Sequence, residues 1–182
     1  MNLRHFKFQT GIILLALSTI SHADITTALN TNIEKCFAAT LKSAGSASTR
    51  PCNNVIKSRI SNRDNTAIAY HNCGIIQMRA GELEQALTSF ERAMRFHPEQ
   101  IVNKQSDSAM TLLAIANVYQ VKNKLDIASA KVDKVLAMDA NNQLAIKMKT
   151  ALDQQKMVDE LSNQKSATLS GILNPFAHRQ HD

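Results

Sequence analysis

Residues 67–98, AIAYHNCGIIQMRAGELEQALTSFERAMRFHP, constrain the fold more than any other part of the chain. Apolar and small residues recur there at helical spacing in two runs, separated by Gly81. The first run predicts a helix over 66–79. The second predicts one over 82–96, stopped by Pro98, which disfavours helix at the residue before it. Gly81 suits the turn between them, because glycine adopts positive φ without steric cost and so ends a helix. Glu82 and Glu84 then fall in the first turn of the second helix, where the macrodipole favours negative charge.

Two antiparallel helices joined this way approach closely only where side chains are small. Gly74 and Ala86 mark that approach, and Phe90 is expected to fill the gap between this pair and the next. The spacing Tyr70-x2-Cys73-Gly74, then Ala86-x3-Phe90, Ala93 and Pro98, resembles a tetratricopeptide repeat (TPR). Gln77 departs from the pattern at a position where that family usually has tyrosine. The resemblance implies an all-α, short TPR-like α-α solenoid that binds other proteins. It does not imply which ones, since fold and function are separable.

A weaker copy follows over 109–142. Leu112, Ile115, Ala116 and Tyr119 restore the first-helix pattern, and Asn123 takes the place of Gly81. Asparagine tolerates the left-handed conformation better than most residues. Ala128, Val132 and Val135 stand where Ala86, Phe90 and Ala93 did, and Ala140 replaces the closing proline. Residues 99–108 interrupt the period, with Asp107 or Ser108 expected to cap the next helix.

On the N-terminal side, 24–41 reads as a helix capped by Asp24 or Thr26. Ile25, Leu29, Ile33, Cys36, Phe37 and Leu41 form its apolar face. A small-residue loop over 42–50 leads to Pro51 at a first helical position and a shorter helix over 52–58, a degenerate hairpin; 61–65 then turns into the repeat. On the C-terminal side, 143–163 reads as an amphipathic capping helix. Its apolar residues are Leu144, Ile146, Met148, Leu152, Met157, Val158 and Leu161. Composition agrees with an all-α chain: with five Gly and three Pro there is little turn chemistry for many short strands.

Arg4 and Lys7, the apolar run 11–20 and the small residues Ser21 and Ala23 read as a cleavable secretory signal of bacterial style, cut after Ala23. The run is about half the ~20 residues a span needs, so an uncleaved anchor is the lesser reading. The expected organisation is a signal over 1–23, a TPR-like domain over 24–165 and a flexible tail over 166–182, in a periplasmic protein with no stable membrane anchor. The tail carries Leu169, Ile172, Leu173 and Phe176, an apolar cluster able to dock on the array. Loss of 1–23 would remove two basic residues and no acidic ones, lowering the net charge from +6 to +4. That excess is dispersed, with no basic stripe interleaved with aromatics, which argues against nucleic acid.

Secretion makes the cysteines informative, because disulfides persist in oxidising compartments. Cys36 and Cys52 lie on the two N-terminal helices and make the simplest pair, leaving Cys73 as a small core residue. The alternative is no disulfide at all. Cys73 has no base or acid placed to activate it, since His71 at i−2 points elsewhere on a helix.

No phosphate loop, paired-Cys motif or nucleophile with a base at readable spacing is present. The expectation is a non-enzymatic protein without cofactor. His178, His181 and Asp182 would ligate metal only in an ordered tail. In the TPR resemblance the first helix of each hairpin lines a concave groove for a protein or peptide. That places Ile68, His71, Asn72, Ile75, Met78 and Arg79 on the groove from one repeat, and Met110, Leu113, Asn117, Gln120 and Val121 from the next. Lys147, Met148 and Gln154 would continue it. Two alternatives stand beside this: the apolar members are ordinary core, or the array is a structural or homodimerising module of an envelope complex.

Overall fold

The computed structural model describes residues 22–96 and 105–173. The structure is all-α, with no strand among the described residues. Its helices are α1 (His22–Thr40), α2 (Arg50–Lys57), α3 (Arg63–Arg79), α4 (Leu83–Phe96), α5 (Gln105–Val121), α6 (Leu125–Met138) and α7 (Gln143–Leu173). A single 3₁₀ turn at Ala44–Ser46 interrupts the α1–α2 loop. Pairs α1–α2, α3–α4 and α5–α6 form hairpins stacked in series, each second helix packing on the next first helix, and α7 closes the stack against α6. This is a short α-α solenoid.

The two inner hairpins turn in the same way. Gly81 has φ of 80°, and the Glu82 and Gly81 amides donate to the Gln77 and Met78 carbonyls at 2.9 and 3.1 Å. Asn123 has φ of 54°, and the Lys124 and Asn123 amides donate to the Tyr119 and Gln120 carbonyls at 2.8 and 2.9 Å. Both are Schellman turns, and both use the left-handed residue expected at that position. The α3–α4 hairpin is also tied at its open end. The Arg63 guanidinium donates to the carbonyls of Phe96 and Arg95 at 2.9 and 3.0 Å, satisfying the last turn of α4, while Tyr70 stacks on Phe96.

Gly74 and Phe90 meet as the close-approach argument requires. A Cβ on Gly74 would lie 2.4 Å from the Phe90 ring. Phe90 is fully buried and also reaches Ala114, Ile115 and Val118 of the next hairpin. One cluster, with Leu29, Val55, Ala69 and Ile76, joins α1, α2 and α3. Another, with Leu112, Ala116, Val132, Val135 and Leu152, joins α5, α6 and α7. Each core therefore spans a hairpin and its neighbour, the condition for a stack that no single repeat can satisfy alone.

Cys36 and Cys52 form a disulfide with Cα atoms 4.6 Å apart, and Cys73 is free and buried. It joins α1 to α2 across the loop, in the cluster that contains Cys73.

Several boundaries and faces differ from expectation. Helix α3 begins at Arg63 instead of 66, because the Asn62 side chain accepts from the Asn65 amide at 2.7 Å and caps it. Helix α5 begins at Gln105, which puts Asp107 and Ser108 inside the first turn instead of at the cap. Helix α7 runs on through Leu173, past its expected end at 163. Serine and threonine there do not break the helix, since Ser166 and Thr168 hydroxyls donate to the i−4 carbonyls of Ser162 and Gln164. The apolar face assigned to α7 is also corrected. Leu152 and Ala145 are buried and Met148 packs beside them, while Leu144, Ile146, Met157, Val158 and Leu161 are exposed. Among the described residues α7 packs chiefly on α6, with ion pairs Lys149–Asp133 and Lys156–Asp126 at 2.9 and 2.7 Å, which covers one stripe of the helix and leaves the rest exposed. Residues 1–21 and 174–182, with the signal peptide, Phe176 and the His178, His181 and Asp182 group, lie outside the described residues. Among the described residues no helix is long and apolar enough to cross a membrane.

Candidate functional site

The first helices of the three hairpins, α1, α3 and α5, enclose a cavity of about 350 Å³. Helix α1 contributes Phe37 and Thr40 to its wall. Helix α3 contributes Ala67, Ile68, His71, Asn72 and Ile75, a spacing that places them on one face. Helix α5 contributes Asp107, Met110 and Thr111, and Ala93 of α4 closes the floor. A second hollow of about 220 Å³ lies beside it between α1, α2 and α3, and shares Phe37, Ile68 and Asn72. Phe37, Ile68 and Met110 are 59%, 44% and 52% exposed, so the first helix of each hairpin presents a large apolar side chain on this face.

Polar groups on the wall are held from behind. The Thr111 hydroxyl donates to the Asp107 carbonyl at 3.0 Å and lies 3.0 Å from His71 Nδ1. The His71 ring tilts against Phe90 at 5.5 Å. Burial lowers the His71 pKa below its ordinary 6.5, and the Asp107 charge partly opposes that. The imidazole is therefore neutral near pH 7. Asn72 is buried and its amide donates to Cys36 Sγ at 3.6 Å, so the disulfide backs the wall of the site. Cys73, on the opposite side of α3, is inert by comparison: burial pushes its thiol up to about 12, and its partner is Asn53 Oδ1 at 3.8 Å.

Of the residues expected on the groove, the structure brings Ile68, His71, Asn72, Ile75 and Met110 together around this cavity. Others go elsewhere. Arg79 is exposed and its guanidinium donates to the Thr40 carbonyl, linking α3 to the end of α1. Met78 packs on the Phe90 cluster. Leu113 is a correction: it is only 5% exposed and belongs to the α5–α6–α7 core, because α6 covers that side of α5. Met148 is corrected on the same ground. Gln120 donates to Gln155 Oε1 at 3.1 Å, bridging α5 to α7. Asn117 is half-buried on α5, and Val121, Lys147 and Gln154 are exposed, none of them on the cavity wall.

Phe37, Thr40, Asp107 and Thr111 belong to the wall and were not expected there. Helical period places Phe37 only on the apolar face of α1. The signal that finds it is the hairpin itself: if α1 is a first helix, its groove-facing residues follow the same rule as those of α3. No family model, curated protein or solved structure matches the chain.

Proposed function

We propose that this is a non-enzymatic periplasmic protein that holds an extended segment of a partner protein against α1, α3 and α5. The observation that carries the reading is the cavity walled by Phe37, Ile68 and Met110, large apolar side chains left exposed on three packed helices. Exposed apolar groups clustered in a concavity mark interaction sites more often than scattered ones do. The TPR resemblance of 67–98 and 109–142 supports a binding role, and the Cys36–Cys52 disulfide suits an oxidising compartment.

The test is a photo-crosslinking residue placed at Met110, with Glu91 on the exposed face of α4 as the control position. A discrete adduct from position 110 alone is expected. It should disappear with Ile68→Glu while the melting temperature holds. Equal crosslinking from position 91, or a large loss of stability in Ile68→Glu, would assign the face to the core or to nonspecific contact. A second reading, self-association through α7, draws on Met157, Val158 and Leu161, which are 61%, 63% and 59% exposed. Light scattering on the full chain and on Val158→Glu separates it: a dimer that dissociates in the variant supports it.

A further inference from the structure

We infer that the chain forms a parallel two-fold dimer in which α7 pairs in register with α7 of a second copy. This rests on the second reading above, self-association through α7, and adds the orientation and the charge pattern that fixes it.

Helix α7 outruns the body it packs on. It runs antiparallel to α6, with Lys149 on Asp133 and Lys156 on Asp126. Asp126 lies in the first turn of α6, and Gln155 meets Gln120 and Asn123 at the end of α5 and the turn that follows. Beyond Lys156, therefore, α7 has passed the end of the last hairpin. It continues to Leu173, a further rise of about 25 Å. Every residue from Glu160 to Thr168 is exposed. So short a helix without packing is marginal in water, and Ser162, Asn163, Ser166 and Thr168 are poor helix formers. Packing on another chain supplies what this sequence lacks.

The stripe facing away from α6 indicates which chain. At about 100° per residue, the side opposite buried Ala145 and Leu152 carries Ile146, Thr150, Gln154, Met157, Leu161 and Thr168. All six are exposed and none is charged. From Ile146 to Thr168 the stripe is about 33 Å long, three heptads of contact. Exposed Asp153 and Glu160 flank it on one side, and exposed Lys147 and Lys165 flank it on the other. A two-fold axis parallel to the helices sets the acidic flank of one copy against the basic flank of the other. Glu160 then meets Lys165 of the second copy, as flanking charges do in parallel coiled helices. Antiparallel pairing would set acid against acid and base against base. A surface complementary to itself under rotation makes a closed, isologous contact. The threonines and Gln154 in the stripe make it a reversible pairing. Since α6 lies on the far side of α7, the two bodies point outward and the α1–α3–α5 cavity stays open.

Analytical ultracentrifugation of the oxidised full-length chain over a concentration series should show a monomer–dimer equilibrium. Leu161→Glu should abolish it with the melting temperature unchanged, because Leu161 lies beyond the body. Glu160→Lys should weaken the dimer by about tenfold, and Lys165→Glu added to it should restore the pairing. Under mild oxidation Thr168→Cys should form an intermolecular disulfide, while Glu91→Cys on the exposed face of α4 should not. A monomer at every concentration, or a dimer that survives Leu161→Glu, refutes self-association through α7 and the inference with it. A dimer lost in Leu161→Glu leaves α7 as the contact. If Thr168→Cys then fails to cross-link, or Glu160→Lys leaves the affinity unchanged, the parallel pairing alone is overturned.

Discussion

Gly74→Ala sets two physical effects against each other, and the structure decides between them. Helix propensity alone predicts a gain of about 1 kcal/mol for glycine to alanine in a helix interior. The new Cβ, however, would stand 2.4, 2.6 and 2.8 Å from Phe90 Cε1, Cδ1 and Cζ. Those atoms belong to a ring that is 0% exposed and enclosed by Ala86, Ala114, Ile115 and Val118. The ring must move by roughly 1 Å in an interior packed to crystal density, and overpacking of this kind costs about 1–3 kcal/mol. With three ring atoms inside contact distance the upper part of that range applies, for a net loss of about 2 kcal/mol after the propensity gain. In a domain of this size that is a melting temperature lower by about 4–8 °C. Far-UV circular dichroism with heat and urea is the assay, since the chain has no Trp. A double-mutant cycle with Phe90→Leu isolates the contact: with the ring gone, Gly74→Ala should be neutral or stabilising. A raised melting temperature for the single variant, or the same loss in both backgrounds, would refute the close-approach reading.

The remaining predictions concern the disulfide and His71. Closing a loop of sequence separation 16 should stabilise by about 3 kcal/mol in the chain-entropy model, so Cys36→Ser with Cys52→Ser should lower the urea midpoint accordingly. Non-reducing peptide mapping should show the two linked and Cys73 free; a linkage through Cys73 would contradict the packing of α3. Burial, partly offset by Asp107, holds the His71 pKa below 6.5 in the folded chain. The stabilisation from keeping it neutral is therefore present above pH 6.5 and lost as pH falls through the lowered folded value. Melting temperature should drop more steeply below pH 6.5 for the unaltered chain than for His71→Asn, and parallel curves would show that another group governs the acid limb.

Much of the array is local physics and can be read from residue spacing. Glycine at 81 and asparagine at 123 take left-handed turns because few other residues do so cheaply, and both end their helices as expected. Gly74, Ala86 and Phe90 interlock because two helices joined by so short a turn have only one way to approach. Cys36 and Cys52 pair across one loop within the first hairpin. Five of the expected groove residues line one cavity, since they share a helix face or lie on the neighbouring first helix.

What tertiary structure alone decided is which apolar stripe each helix buries. Helical period says that Phe37, Leu113 and Met157 lie on apolar faces; it does not say which faces meet a neighbour. Phe37 is exposed because the disulfide and Val55 hold the Cys36 side of α1 against α2, leaving the adjacent side open toward α3 and α5. Leu113 is buried because α6 folds over it, and Met157 is exposed because no described helix lies beyond α7. The same holds for the polar wall: Asp107 and Thr111 reach His71 only once α5 stacks beside α3. Periodicity is a property of one segment, whereas burial depends on the position of another, and that position follows from how successive hairpins stack.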